Sequence, residues 1–314
     1  MFQSPHLSPI VLFVYNRPSH TRATLESLSQ NFLADKSTLF IFCDGPKEDI
    51  SADEQSKIDQ VRTIAKERNW CQSVKVIERK SNLGLADSIV KGVTQVLKDF
   101  DRVIVLEDDL VLSKSFLRYM NDALTIYEDS SKVMHISGYS QQITLPKTPS
   151  TYFLYVPDCW GWATWRRAWE HFIDDAELLY HKIRENESEV DLFNYYGNYD
   201  HLQTLKENAN RTRKTWAVKW YASTFLHKGL ALHPYKSLVR NIGHDNSGEN
   251  CNGNYWSKKY AKQSIVDHLT VSYQTPELSQ SHMSKIALFL GSFGKSTLKT
   301  RLDDRFSKIL EIFK

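Results

Sequence analysis

The segment that decides the fold is VIVLEDDLVLSKSFLRYM, residues 103–120. Its first four residues form an apolar run, which is typical of a strand buried on both faces of a parallel sheet. Glu107, Asp108 and Asp109 follow this strand directly. Because side chains alternate along an extended chain, Glu107 and Asp109 should point one way and Asp108 the other. Ser113 stands where it would cap a following helix.

The chain upstream repeats this order of strand and helix. Apolar runs predict strands at Ile10–Tyr15, Leu39–Cys43, Val74–Ile77 and Val103–Leu106. The helix after the first strand should present Leu25, Leu28 and Phe32 to the core. Ser51 and Glu54 form a capping-box pattern ahead of the second helix. This alternation predicts an α/β fold with a mainly parallel sheet flanked by helices.

Polar residues follow all four strands, in the segments Asn16-Arg17, Asp44-Gly45, Glu78–Gly84 and Glu107–Asp109. Ligands bind to such sheets outside the carboxyl ends of the strands. Each segment alone could be a simple turn without a ligand. Their convergence at one edge favours a binding site.

The three successive carboxylates have two interpretations. Packed together they would repel one another, and a hard divalent cation held by one or two carboxylates and a substrate phosphate would relieve that repulsion. Alternatively, they form an acidic turn before a helix, where negative charge is favourable. Their place at the mouth of a parallel sheet favours the metal site. The dinucleotide-binding pattern G-x-G-x-x-G is absent after the first strand.

Composition and charge exclude several other classes of protein. The chain has 314 residues, 41% of them apolar, and a net charge of only +3, so no strong field would attract nucleic acid. Its four cysteines form no C-x-x-C pair, which argues against a disulfide framework or a zinc site and suits a reducing compartment. The N-terminal segment lacks a basic lead-in and a cleavage site, and no apolar run is long enough to cross a membrane. We therefore expect a cytoplasmic protein.

The rest of the chain differs from the first 150 residues. Residues 151–262 hold seven of the eight tryptophans, and no linker precedes them, so we expect a second lobe continuous with the first sheet. Residues 263–314 form a third segment, in which Leu298, Leu302 and Phe306 share one face of an amphipathic helix. That helix either docks on the body or lies on an anionic membrane surface.

Several ordered motifs resemble a known family. VLFVYNRPSHTRATLESL (11–28), VIERKSNLGLADSIVKGV (76–93) and the segment at 103–120 are similar to the nucleotide-sugar half of GT-A-fold glycosyltransferases. The last segment resembles the Glu-Asp-Asp motif of N-acetylglucosaminyltransferase I. WGWATWRRAW (160–169) and SLVRNIGHDNSG (237–248) resemble bacterial hemolysin-like enzymes that build surface polysaccharides.

This resemblance implies a GT-A fold and metal-dependent, inverting transfer of a sugar from a nucleotide diphosphate-sugar, such as a UDP-sugar. Residues 1–150 would bind the donor and residues 151–262 the acceptor. The implied donor-binding residues are Tyr15, Asn16, Arg17, Asp44, Arg79, Asn82, Gly84, Glu107 and Asp108. Asp44 would bond the base, and Asp109 would bind Mn²⁺ or Mg²⁺ on the diphosphate.

The acceptor side and the catalytic base are less well marked. Trp160, Gly161, Trp162 and Lys219 are candidates for acceptor contacts, although most of the tryptophans should be core. Many relatives place an aspartate between two tryptophans, but residues 216–220 (WAVKW) contain no acid. Asp245 and then Asp158 are the remaining candidates for the base, and His244 is a second candidate metal ligand.

The acceptor implied by the resemblance is a saccharide or a lipid-linked saccharide in bacterial surface polysaccharide synthesis, such as lipopolysaccharide or capsule. Work on lipid-linked acceptors would fit peripheral contact with the inner membrane face through the C-terminal helix. The missing acid at Ala217 leaves open a non-catalytic nucleotide-sugar or carbohydrate-binding protein on the same scaffold. A sugar nucleotidyltransferase is a weaker alternative, because no glycine-rich loop follows the first strand.

Overall fold

The computed structural model describes residues 7–141, 143, 150–245 and 263–291. The strands within these residues are β1 (Ile10–Val14), β2 (Thr38–Cys43), β3 (Ser73–Glu78), β4 (Arg102–Glu107), β5 (Leu110–Leu112), β6 (Val133–Ser137), β7 (Thr151–Leu154), β8 (Trp162–Trp165), β9 (Leu230–Pro234) and β10 (Val239–Asn241). The four strands expected from the sequence are all present. β1 ends one residue early, so Tyr15 lies in the loop that follows it.

The helices in the same residues are α1 (Pro18–Ser29), α2 (Ala52–Lys66), α3 (Leu85–Val96), α4 (Phe116–Ile126), α5 (Arg166–Trp169), α6 (Ala176–Arg184), α7 (Glu187–Phe193), α8 (His201–Ala209), α9 (Ala217–Leu226) and α10 (280–291). Within the described ranges, none of these helices has the length and apolar character that a membrane crossing requires. Residues 292–314, which carry the expected amphipathic face, lie outside the described residues.

Eight of the strands form one sheet in the order β3-β2-β1-β4-β8-β6-β9-β7 in the described part of the chain. The pairs β1–β2, β2–β3, β1–β4 and β6–β9 are parallel. β8 runs antiparallel to both β4 and β6, and β7 runs antiparallel to β9. Six strands therefore point one way, which confirms the predicted α/β fold with a mainly parallel sheet. The sheet continues across residue 150, so the two halves share one scaffold.

The two faces of β1 are covered by different helices, which explains its uninterrupted apolar sequence. Ile10 and Leu12 share a buried cluster with Leu25 of α1. Val11 and Phe13, on the opposite face, share a second cluster with α3. Burial of each large apolar side chain stabilises the fold by about 1.5–3 kcal/mol. The sheet is thus held between two helical layers.

The helix boundaries test the capping patterns. The Ser51–Glu54 capping box is present, since the Ser51 hydroxyl accepts the Glu54 N–H and the Glu54 carboxylate accepts the Ser51 N–H. The expected cap at Ser113 is wrong: α4 begins two residues later, after Ser115, and the Ser113 hydroxyl accepts the Ser115 N–H instead. Phe32 lies beyond the end of α1 and is 44% exposed, so it is not part of the core face.

A turn between β3 and α3 is tied to the end of β2 through Asp44. The Asp44 carboxylate accepts the N–H groups of Leu83 and Gly84 at 3.0–3.1 Å and the Asn82 side-chain amide at 3.2 Å. It also accepts the Gly45 N–H at 2.9 Å. Four donors on one buried carboxylate fix the turn, and with it the start of α3, against the carboxyl end of the sheet.

We expect Asp44→Asn to destabilise the protein although the two side chains have the same shape. The introduced NH₂ group would face N–H donors and leave at least one of them unpaired, which costs about 1–3 kcal/mol. Urea unfolding measures this free energy. Asp49→Asn, an exposed position in the same connection, is the matched control. Equal stability of the Asp44 variant and its control would contradict the anchoring role.

Candidate functional site

A cavity of about 570 Å³ opens where the carboxyl ends of β1, β2 and β4 meet the second half of the chain. Residues singled out from the sequence line it: Tyr15, Asn16, Arg17, Asp44, Asn82, Gly84, Glu107, Asp108, Asp109, Asp158 and Trp160. Segments up to 145 residues apart in the chain are therefore brought to one cavity. It lies at the carboxyl ends of the strands, where parallel sheets bind their ligands.

Arg17 and two of the three acids form an ion-pair cluster on the cavity wall. The Arg17 Nε donates to Asp108 Oδ2 at 3.3 Å, and Nη2 pairs with Asp108 Oδ1. Nη2 also donates to Asp109 Oδ2 at 3.1 Å. All three side chains are largely buried, so the guanidinium and the two carboxylates compensate one another in a poorly solvated place.

The β5–β10 ribbon brings a distant segment to this cluster. Ile242 donates its N–H to the Asp109 carbonyl at 2.8 Å, and the Asn241 amide lies 3.4 Å from Asp109 Oδ1. A Cβ at Gly243 would overlap the Asp109 carboxylate and lie 3.0 Å from Arg17 Nη1. Only glycine therefore fits at position 243 without moving the cluster.

Glu107 lies beside the cluster and has no cation of its own among the described residues. Burial, together with the charges of Asp109 and Asp108, raises the pKa of Glu107 to about 8. A carboxyl group with that pKa holds its proton at neutral pH.

Asp158 is held in the cavity by contacts on three sides. Its N–H donates to the Ser137 hydroxyl at 3.2 Å, its Oδ1 accepts the Trp160 N–H at 3.0 Å, and its carbonyl accepts from His135 Nε2 at 3.0 Å. His135 Nδ1 in turn accepts the Trp220 indole N–H at 3.1 Å. Burial lowers the pKa of His135 to about 3, so the ring is neutral and its tautomer is fixed by these two partners.

Burial raises the pKa of Asp158 to about 7, against the opposing effect of the Trp160 N–H. A carboxylate with a pKa near neutrality can both take up and release a proton at physiological pH. Asp158 thus combines access to the cavity, a fixed backbone and the proton affinity of a general base.

Asp245, the first candidate for the base, lies elsewhere. It does not line the cavity, its side chain is 50% exposed, and it is 3.2 Å from His20 Nε2. His244 is closer to the cluster: its ring contacts that of Trp160, with centroids 5.3 Å apart. Burial lowers the pKa of His244, although Asp109 and Asp245 act in the opposite direction.

Two of the acceptor candidates lie away from the cavity. Trp162 is fully buried and stacks between Trp216 and His135 in the core. The Lys219 ammonium pairs with Asp174 and does not reach the cavity, because α9 turns this face toward the loop before α6.

The other candidates have distinct structural roles. Gly161 adopts a positive φ of 66°, and its carbonyl accepts the Gly138 N–H, so its close approach is to another segment. Arg79 supports the cavity wall by donating to the Ser88 hydroxyl at 2.6 Å, and it lies 4.0 Å from Asp44.

The cavity is also lined by residues that sequence reasoning missed. Tyr139, Tyr152, Tyr221, Arg213, Lys214 and Trp216 all line the cavity. The Lys214 ammonium lies 2.8 Å from Asp87, which joins the loop before α9 to the first turn of α3. The adjacent basic residues Arg213 and Lys214, close before Trp216, could have indicated this part of the cavity from the sequence. The tyrosines carried none: Tyr152 lies in β7, Tyr221 in α9 and Tyr139 just after β6, where aromatic residues look like core.

The cavity has the carboxylate oxygens that a hard divalent ion prefers, but its described residues do not form a closed metal site. Asp108 and Asp109 line the cavity and carry carboxylate oxygens of the kind such an ion takes as ligands, and His244 is near Asp109. Among the described residues, no group of three or more His, Cys, Asp or Glu side chains converges as a closed metal site does. Two carboxylates suit an ion such as Mg²⁺, which takes its remaining ligands from water and substrate phosphates.

The chain is distantly similar to two proteins of known structure. TarS of S. aureus is 17% identical over 46% of this chain and 24% of its own, with a TM-score of 0.31. A UTP-bound UGPase of Acinetobacter baumannii is 10% identical over 75% of this chain and 88% of its own, with a TM-score of 0.39. No protein with a curated description matches the sequence. A model of the family described as Glycosyl transferase family 2 matches residues 10–182, more than half of the sequence, and the chain therefore belongs to glycosyl transferase family 2.

Proposed function

We propose that the protein transfers a sugar from a nucleoside diphosphate-sugar, such as a UDP-sugar, to a hydroxyl group of a saccharide acceptor. One observation carries this proposal: a single cavity contains both the Arg17–Asp108–Asp109 cluster and the buried carboxylate of Asp158. The cluster offers charges of both signs for a diphosphate and its cation, and Asp158 offers a base for the acceptor. Membership of glycosyl transferase family 2 supports the same reaction class.

The donor would lie along the carboxyl ends of β1, β2 and β4. The loop from Tyr15 to Arg17 and the Asn82–Gly84 turn flank the space for the nucleoside and its phosphates. Asp44 would act through the turn that it holds, since its carboxylate already accepts four donors. Asp108 and Asp109, with His244 nearby, are the groups that would hold Mn²⁺ or Mg²⁺. When bound, such an ion neutralises negative charge on the leaving diphosphate.

In the reaction, Asp158 would take the proton of the acceptor hydroxyl. The acceptor oxygen then forms a bond to the anomeric carbon while the bond from that carbon to the phosphate oxygen breaks. The electron pair of the broken bond leaves with the diphosphate, whose charge the Arg17 guanidinium can meet. Attack by a base-activated hydroxyl in one step inverts the anomeric carbon. His135 positions the base by holding its backbone carbonyl.

The acceptor would occupy the aromatic side of the cavity. Trp160 and Tyr139 meet edge to face at 4.5 Å and form part of this wall, and Trp216 lies close by. Aromatic faces pack well against the apolar side of a sugar ring. Leu290 of α10 adds apolar surface at the far end, which is compatible with a lipid-linked acceptor of bacterial surface polysaccharide synthesis.

An enzyme is favoured over a non-catalytic sugar-binding protein by the position of Asp158. The binding-protein alternative was motivated by the missing acid at Ala217, which also lines the cavity. Asp158 supplies a carboxylate to that same space, so the absence of an acid at 217 does not remove a base. A nucleotidyltransferase would leave Asp158 without a role, since the phosphate of a sugar phosphate attacks as an anion and needs no general base.

We expect Asp109→Asn to remove the metal-dependent part of donor binding. Loss of one anionic ligand should weaken Mn²⁺-dependent UDP affinity at least about tenfold. Calorimetry with UDP, in Mn²⁺ and in chelator, measures this difference. Asp101→Asn, an exposed position at the start of β4, is the matched control. Unchanged Mn²⁺-dependent affinity in the Asp109 variant would remove Asp109 from the ion site.

We expect Asp158→Asn to lower kcat by about 10²–10⁴-fold while donor binding is retained, as loss of a general base requires. Asp245→Asn separates the two candidates, because that side chain lies outside the cavity. Sugar transfer is measured with a panel of UDP-sugars and acceptors, and UDP affinity by calorimetry. A loss of turnover in the Asp245 variant, with near-normal turnover in the Asp158 variant, would move the base to Asp245.

The raised pKa of Asp158 also predicts a pH dependence of both activity and stability. Since its pKa is raised to about 7, kcat should fall about tenfold per pH unit below that value. The titratable groups around it are Cys159, Tyr152, Tyr195 and His135. A raised acid pKa means that the folded state binds more protons than the unfolded state between pH 4 and 7, so stability falls as pH rises through this window.

In Asp158→Asn this pH-dependent loss of stability should be absent. The free energy of unfolding of the variant, relative to that of the unchanged protein, should therefore rise by on the order of a few kcal/mol from pH 4 to pH 8. Unfolding in urea with chelator present measures the difference at each pH. An Asp158 variant whose relative stability does not change with pH would show that the carboxyl group is already ionised throughout.

A further inference from the structure

The Arg17 guanidinium lies where a cation bound to Asp108 and Asp109 would have to be. It contacts both oxygens of Asp108 and one oxygen of Asp109. Two cations that share the same carboxylate oxygens repel strongly at such short range in a poorly solvated site. A divalent ion and the guanidinium therefore compete for this position.

The backbone around Arg17 leaves the side chain as the part that can move. Arg17 precedes α1, and Pro18 occupies the first turn of that helix. α1 is joined to the acidic turn by Thr24, whose hydroxyl donates to the Asp108 carbonyl at 2.8 Å and accepts the Leu110 N–H at 3.1 Å. Because these bonds hold helix and turn together, release of the acids requires rotation of the Arg17 side chain.

One end of the guanidinium has an unused donor. Arg17 Nη1 is buried and has no hydrogen-bond partner among the described residues, and it faces Gly243, where no side chain fills the space. A buried unpaired donor is costly, and an anionic oxygen is the partner it favours most. Arg17 lines the cavity, so a donor diphosphate could supply that oxygen.

We propose that Arg17 is an internal counter-cation of Asp108 and Asp109, which opposes divalent-ion binding to the free protein and turns to the diphosphate when donor and ion bind together. This inference rests on the proposed function for the identity of the anion. It explains how two buried carboxylates remain compensated when neither ligand is bound. It also couples the two ligands, because the diphosphate stabilises the conformation in which the acids are available to the ion.

The test is Mn²⁺ binding to the full chain without nucleotide, followed by the electron paramagnetic resonance signal of free Mn²⁺. Arg17→Ala should bind Mn²⁺ at least about tenfold more tightly than the unchanged protein, since the competing cation is gone. Arg22→Ala is the matched control: it removes the same charge five residues further along, in α1, where Arg22 pairs with Glu67 at an exposed site. This control should bind Mn²⁺ as the unchanged protein does.

Thermal unfolding provides a second readout that does not depend on activity. Removal of the guanidinium leaves two close carboxylates uncompensated, so Arg17→Ala should melt at a lower temperature, and Mn²⁺ should restore its Tm. Mn²⁺ should change the Tm of the unchanged protein and of Arg22→Ala little. If the alanine variant does not fold, Arg17→Gln replaces it, because it removes the charge and keeps a polar side chain.

Equal or weaker Mn²⁺ binding by both Arg17 variants would overturn the inference, and so would an equal gain in Arg22→Ala. The proposed function fails by a different result: no sugar transfer and no UDP binding by the unchanged protein, with or without Mn²⁺. Transfer that proceeds fully in chelator would remove the ion from the proposed reaction, whereas a gain of Mn²⁺ affinity in Arg17→Ala would still support the competition.

Discussion

The ion pairs of Arg17 with Asp108 and Asp109 are the interaction on which the rest of the site depends. They join the start of α1 to the turn after β4, and Ile242 brings the strand β10 to the same turn. Buried carboxylates without a cation would be expensive to maintain in the folded state. The Arg17 guanidinium therefore compensates both carboxylates within the fold itself.

Asp44 and Asp158 show how the surroundings give one residue type two different roles. The Asp44 carboxylate accepts four donors from the adjoining turns, so its hydrogen-bonding capacity is used for structure. The Asp158 carboxylate accepts the Trp160 N–H and otherwise borders the cavity, and burial raises its pKa to about 7. A carboxylate that is fully hydrogen-bonded holds a turn, whereas one that is buried but under-bonded can exchange a proton.

The first half of the fold could be predicted from the sequence because its signals are local. The apolar run of β1 and the Ser51–Glu54 box each require only a few adjacent residues, and both are present in the structure. The order of the strands beyond β4 could not be predicted in this way. β8 inserts between β4 and β6 although it follows β6 in the chain, and no short-range pattern specifies such pairing. The error at Ser113 is of a similar kind, because either of two nearby serines could begin α4.

The same distinction between local and long-range signals applies to the candidate base. The sequence ranked Asp245 ahead of Asp158, but the residues around each acid carried no signal of how it would be packed. What separates them is packing: Asp158 is held by Ser137 and His135 of β6, whereas Asp245 pairs with His20 at the surface. His135 is itself kept neutral by burial and is oriented by the Trp220 indole of α9, 85 residues further along the chain. The proton affinity of Asp158 thus depends on the packing of its own loop, β6 and α9. A sequence motif can indicate the acid but cannot show this packing.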